Sequence, residues 1–84
     1  MVKVLMYTTA ACPYCAKARN LLQRKGIEFD EVAIDRDPPQ REAMVARSGR
    51  ETVPQIFIGE HHVGGYDDLT VLDATDELEE LLQA

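Results

Sequence analysis

The sequence predicts an α/β fold in which a four-stranded mixed sheet carries helices on both faces. Three observations predict it. The chain opens with a strand, a helix and a second strand, an order that requires a right-handed crossover and a parallel strand pair. Two short apolar runs on either side of Gly59-Glu60 read as an antiparallel hairpin. The whole pattern fits into 84 residues, enough for one domain over 1–84 with a single core.

Each element follows from its own residues. Val2, Val4, Leu5, Met6 and Tyr7 form a nearly continuous apolar run, the pattern of a central strand covered on both faces. From Pro13 to Lys25, Cys15, Ala18, Leu21 and Leu22 recur at helical spacing, Lys17, Arg19, Gln23 and Arg24 fill the other side, and Gly26 is the natural stop. A second strand spans Glu28 to Ile34 with Phe29, Val32 and Ile34 as its buried side chains, and its alternation slips near Asp30-Glu31. Asp37 caps the next helix, with Pro38 at its first position and Gln40 completing a capping box, and Gly49 ends it. Gln55–Ile58 and His61–Val63 are the hairpin strands, with Gly59 opening a type II′ turn and Gly64-Gly65 breaking the second strand. Asp67 or Asp68 caps a short helix carrying Leu69, Val71 and Leu72. Asp76 with Glu79 opens a last one that buries Leu78, Leu81 and Leu82.

Composition narrows the function classes. A formal charge of −6 with no Lys/Arg cluster excludes a nucleic-acid backbone as the main partner, because phosphate binding is driven by clustered cations. The acidic excess at Asp76, Glu77, Glu79 and Glu80 reads as a solvated helix face. The run Val2–Tyr7 is interrupted by Lys3 and has neither the length nor the cleavage site of a signal segment, and no later run approaches a membrane span. The expected compartment is the cytoplasm, where structural thiols stay reduced. Two cysteines there need a chemical reason.

They are the only two, and they stand as Cys12-Pro13-Tyr14-Cys15 between the first strand and the first helix. A C-x-x-C at a strand-to-helix junction is the thioredoxin-like redox arrangement. At the start of a helix the Cys12 sulfur sits beside unpaired N–H groups and the positive end of the helix dipole, which favour thiolate over thiol. Cys15 lies one turn on and more shielded, suited to resolve what Cys12 forms. Two blander readings compete: inert buried thiols, or half of a zinc site. Zinc wants four ligands, and the adjacent His61 and His62 on a strand point to opposite faces, so both cannot join; they read as exposed hairpin residues.

Cys12-Pro13-Tyr14-Cys15, then Thr52-Val53-Pro54, then Gly64-Gly65-Tyr66-Asp67-Asp68 stand in the order and approximate spacing of the glutaredoxins. The chain resembles that family over nearly its whole length, and most of all its small bacterial dithiol class. The resemblance implies a thioredoxin-like fold, glutathione as reducing cosubstrate, no metal, and a monomer. It also implies disulfide-containing or glutathionylated proteins as substrates, ribonucleotide reductase among them. By the same resemblance Pro54 is cis and faces Cys12, the Val53 backbone pairs like a strand with the cysteinyl part of glutathione, and Thr52 belongs to the same binding set. Asp67 and Asp68 receive its γ-glutamyl end, with Gly65 allowing close approach. Tyr14 packs beside the tripeptide and Arg41 meets its glycyl carboxylate. One departure stands out: many members carry a lysine shortly before the first cysteine, where this chain has Thr9. Three alternatives stand beside this reading: a redoxin fed by thioredoxin reductase, an iron-sulfur-cluster scaffold, against which Pro13 weighs, and a non-catalytic interaction module on the same fold.

Overall fold

A computed structural model describes residues 2–83. Its elements run β1 (Val4–Thr8), α1 (Pro13–Arg24), β2 (Asp30–Ala33), α2 (Pro38–Ser48), β3 (Gln55–Ile58), β4 (His61–Gly64), α3 (Tyr66–Ala74) and α4 (Glu77–Leu82). The sheet order is β2-β1-β3-β4, with β1 and β2 parallel and the other two pairs antiparallel. The mixed four-stranded sheet and the central place of β1 are as the sequence predicts.

Alternation along the strands sorts the core into two layers. Val4, Met6, Ile56 and Ile58 face α1, α3 and α4, where they meet Ala18, Leu21, Leu22, Leu69 and Leu78. Tyr7, Phe57 and Ile34 face α2 and pack on Met44. Helices therefore cover both faces, and β1 is buried on both.

The second strand is shorter than the sequence suggests, and its alternation does not slip. Phe29 packs into the α1 layer and Val32 and Ile34 into the α2 layer. Glu31 comes between them on the α1 side, where Arg19 donates to it through Nε at 2.9 Å and the Thr8 hydroxyl at 2.8 Å. A charge on that inward side is tolerated because it is paired. The Arg19 guanidinium, and to a lesser extent the Thr8 hydroxyl, hold the Glu31 carboxyl below its ordinary range against the opposing effect of burial.

Helix ends follow the sequence in part. Gly26 lies at φ +71°, and the Ile27 and Gly26 N–H groups reach back to the Leu22 and Gln23 carbonyls at 2.9 and 3.1 Å, closing α1 in a Schellman motif. Gly49 ends α2 in the same left-handed conformation. Gly59 has φ +60° while Glu60 stays at negative φ, which excludes a type I′ turn and fits the expected II′.

Three expected caps are not made. Asp37 stands at the N-cap of α2 without a side-chain hydrogen bond, and no box forms with Gln40. Pro38 and Pro39 have no N–H to satisfy, and the Gln40 N–H already bonds the Asp37 carbonyl at 2.9 Å. Asp76 adopts φ +64°, outside the extended geometry from which a side chain reaches the helix amides, so it does not cap α4. Glu79 instead joins Asp73 in holding the Lys25 ammonium, at 3.1 and 2.6 Å, tying the end of α1 to α3 and α4. At the third, α3, the N-cap position is Gly65 rather than Asp67 or Asp68, and Asp68 takes part in the cap only by accepting the Gly65 N–H at 2.9 Å from the third helical position. Within it Leu69 is fully buried, whereas Val71 is 60% exposed.

Candidate active site

Cys12 is the N-cap residue of α1, with extended backbone at φ −99° and ψ 109°. Its sulfur takes the part usually played by a capping oxygen: the Cys15 N–H donates to Sγ at 3.1 Å. Pro13 follows at the first helical position, and the first turn holds no acidic residue to repel charge on the sulfur. The approach to Cys12 is pinned from the next loop, where the Ala10 N–H donates to Asp35 Oδ2 at 3.1 Å.

The two thiols are free and unequal. Cys12 is partly exposed, Cys15 has no accessible surface. Burial pushes the Cys15 thiol up to about 12 from an ordinary 9.0; the neighbouring Cys12 side chain adds to the rise, and the Thr9 backbone amide opposes it. Cys15 is therefore a protonated thiol across the neutral range.

Facing Cys12 is the loop before β3. The Val53-Pro54 bond is cis, as expected, and the Cys12 thiol points to the Val53 carbonyl at 3.6 Å. Behind the loop, Gln55 is buried and donates from Nε2 to the Thr52 carbonyl and hydroxyl at 3.1 and 3.2 Å. Its other amide atom, Oε1, accepts from His62 Nε2 at 2.7 Å, which puts the ring proton on Nε2. His62 is half-buried and stacked on Phe57 rather than exposed as the sequence suggests, because its place opposite Phe57 in the ladder turns it toward α2. Burial, then the nearby Arg50, keeps its imidazole below the ordinary histidine range.

The third wall is the start of α3. Asp68, at the third helical position, accepts the Gly65 N–H at 2.9 Å and Arg50 Nη1 at 3.3 Å. Those two contacts, the amide first, lower the Asp68 carboxyl. Gly64 has φ +111° and lies where a Cβ would run into the Asp68 carboxylate, so two demands select glycine there.

Tyr14, Thr52, Val53, Pro54, Gly65, Asp67 and Asp68 line one cleft of about 220 Å³, with Cys12 at its rim against Val53. Seven of the eight binding residues expected from the sequence thus come together. Arg41 does not line this cleft; it lies exposed on α2, 3.6 Å from Glu51. The cation in the cleft is Arg50, with Gln55 and Tyr66 also lining it, and sequence reasoning missed all three. The available signal was position: Gln55 directly follows Thr52-Val53-Pro54, Arg50 stands two residues before it, and Tyr66 lies inside Gly64-Gly65-Tyr66-Asp67-Asp68. Among the described residues no group of three His, Cys, Asp or Glu side chains is arranged to hold a metal ion, and no described helix is long and apolar enough to cross a membrane.

A partly exposed sulfur on a helix N-terminus, a buried protonated thiol one turn on and the Val53 carbonyl opposite make a thiol-exchange site, and comparison with known proteins agrees. The glutaredoxin family model matches residues 4–63. The chain belongs to the glutaredoxin family. It is 52% identical to a Pseudomonas aeruginosa glutaredoxin over 84 residues, all of both chains. It is also 52% identical to Escherichia coli glutaredoxin 3 over 83 residues, 99% of this chain and 100% of that one. The solution structure of a Brucella melitensis glutaredoxin superposes with a TM-score of 0.85 at 54% identity, covering 98% of this chain and 89% of the other. This glutaredoxin is thus a thiol oxidoreductase with a thioredoxin-like fold.

Proposed function

We propose that this glutaredoxin reduces glutathione mixed disulfides and protein disulfides with electrons from glutathione, through Cys12. The observation that carries the reading is the Cys12 sulfur, which accepts the Cys15 N–H at 3.1 Å and faces the Val53 carbonyl beside the cleft lined by Tyr14, Val53, Asp67 and Asp68. In that cleft the Val53 backbone pairs with the cysteinyl unit. Asp67, whose carboxylate has no partner among the described residues, receives the γ-glutamyl ammonium, and the free amides at the start of α3 take the adjoining carboxylate. Arg50 offers a cation to the remaining carboxylate, beside or in place of Arg41 and despite Thr9.

The Cys12 thiolate attacks the glutathionyl sulfur of a mixed disulfide, forming Cys12–S–S–glutathione, and the substrate thiolate leaves and takes up a proton. A second glutathione thiolate attacks that bond, releasing glutathione disulfide and restoring Cys12. With a protein disulfide, Cys12 forms the mixed disulfide and Cys15 resolves it, losing its proton and leaving a Cys12–Cys15 disulfide that two glutathiones reduce. The high proton affinity of Cys15 makes it a slow competitor of glutathione, which favours the one-cysteine route for glutathionylated substrates. The chain acts as a monomer in the cytoplasm, with ribonucleotide reductase among its protein substrates.

The test is turnover of a glutathionylated substrate with glutathione, glutathione reductase and NADPH, beside the same assay with thioredoxin reductase. Turnover with glutathione is expected. Turnover with thioredoxin reductase alone would replace this reading by the other redoxin, and a coloured dimer after anaerobic iron loading, inactive in both assays, by a cluster scaffold.

A further inference from the structure

A stripe of α1 runs away from Cys12, and beyond Tyr14, which lines the cleft, the mechanism leaves it unused. Tyr14, Lys17, Asn20 and Arg24 recur every three or four residues and so share one side of the helix. From Tyr14 to Arg24 the stripe is about 15 Å long at 1.5 Å per residue. Tyr66, at the start of α3, borders it: the Tyr14 and Tyr66 rings are 6.3 Å apart, and Lys17, Asn20, Arg24 and Tyr66 line a hollow of about 520 Å³. Tyr66 also lines the cleft beside Cys12, so the two depressions adjoin at that ring.

The stripe opposes the charge of the rest of the molecule. The chain has 15 acidic and 9 basic residues, yet α1 holds Lys17, Arg19 and Arg24 and no Asp or Glu. Arg19 is occupied by Glu31. Lys17 and Arg24 are exposed and form no ion pair among the described residues; Lys17 Nζ lies 5.2 Å from the Tyr14 ring centre.

We propose that this stripe is a docking track for an acidic polypeptide segment next to the disulfide-bonded cysteine of a protein substrate, an inference that rests on the glutathione reading above. With glutathione in the cleft and its sulfur at Cys12, the substrate polypeptide leaves on the open side of Cys12, where Tyr14 lines the cleft and is 54% exposed. An extended segment rises about 3.3 Å per residue, so four or five residues cover the track, and acids two to five positions from the substrate cysteine meet Lys17 and Arg24. The negative field elsewhere repels such a segment, so the track orients the encounter as well as holding it.

The test uses two peptides of about ten residues, each with one glutathionylated cysteine, carrying either glutamates or lysines two to five positions away, and glutathionylated free cysteine as a third substrate. At about 20 mM NaCl the acidic peptide is expected to show about ten-fold higher kcat/KM than the basic one, falling to about two-fold at 500 mM. Lys17→Glu/Arg24→Glu reverses the preference and Lys17→Gln/Arg24→Gln removes it, with turnover of the free-cysteine substrate unchanged. Equal rates for the peptides at low salt, or a preference that survives both double variants, would overturn the track. Fluorescence anisotropy with serine in place of the peptide cysteine reads docking without chemistry. Salt-sensitive binding of the acidic peptide, lost in the double variants, supports the track even if no substrate turns over, an outcome that would sink the glutathione reading alone. Equal binding of both peptides overturns the track.

Discussion

Two helix N-termini meet at the cleft, and they hold negative charge in different ways. At α1 the cap is a sulfur, the first position is a proline and the first turn has no acid, so the open amides act on Cys12 alone. At α3 the cap is Gly65, two acids follow in the first turn, and Asp68 folds back so that the Gly65 N–H and Arg50 Nη1 both donate to its Oδ2. The same backbone field serves a charge that comes and goes in reaction at one end and fixed carboxylates at the other. What separates a reactive helix start from a binding one is which side chain the amides face.

The largest expected effect breaks the α1 side of this comparison. Cys12→Ser should lower reduction of a glutathionylated peptide by about 10³-fold or more, because an alcohol cannot replace the thiolate in exchange. Cys15→Ser should retain most of that activity and lose reduction of protein disulfides, as steady-state assays with the two substrates will read. Equal loss in both variants toward the glutathionylated peptide would remove the one-cysteine route.

A smaller effect is expected at α3. Asp68→Ala removes the acceptor for Gly65 and the anchor for Arg50, so denaturant unfolding should find it about 1 kcal/mol less stable, the usual size of a lost helix-end side chain. Its KM for glutathione should rise several-fold while kcat holds. An unchanged KM would make Asp68 a cap and nothing more.

Cys15 sharpens the contrast through pH. The fold raises its pKa to about 12 from 9.0, so between those values the folded reduced protein binds more protons than the unfolded one. The stability it contributes is complete below about pH 9 and lost as pH rises toward 12. Unfolding of the reduced protein and of Cys15→Ser across that range should give curves that converge with rising pH. Parallel curves would show that burial does not set the Cys15 proton.

How far the sequence could be read follows the range of the interactions. The Cys12 motif, the Gly26 and Gly49 stops and the Gly59 turn are local, and each appears where its residues stand. Glu31 looked like a break in β2 because its partner, Arg19, is twelve positions away on α1. Arg50 was passed over for Arg41 because only the folded chain brings it to Asp68, eighteen residues on. Capping by Asp37 and Asp76 failed where prolines removed the amides and a left-handed backbone turned the carboxylate away. Pro54 and Val53 were legible only through family resemblance, since neither local spacing nor composition carries their approach to Cys12.

The smallest expected effect separates the two arginines. Arg50→Ala should raise KM for glutathione a few-fold and Arg41→Ala less, since an exposed charge pair contributes about 0.2 to 1 kcal/mol, and both effects should shrink at high salt. A larger effect from Arg41 would return the glycyl contact to α2.

The most direct test of the account is competitive alkylation of the fully reduced protein with a limiting amount of iodoacetamide at neutral pH, followed by peptide mapping of the two cysteines. Cys12 is expected to take nearly all the label while Cys15 stays a free thiol. Equal labelling, or Cys15 labelled first, would contradict it.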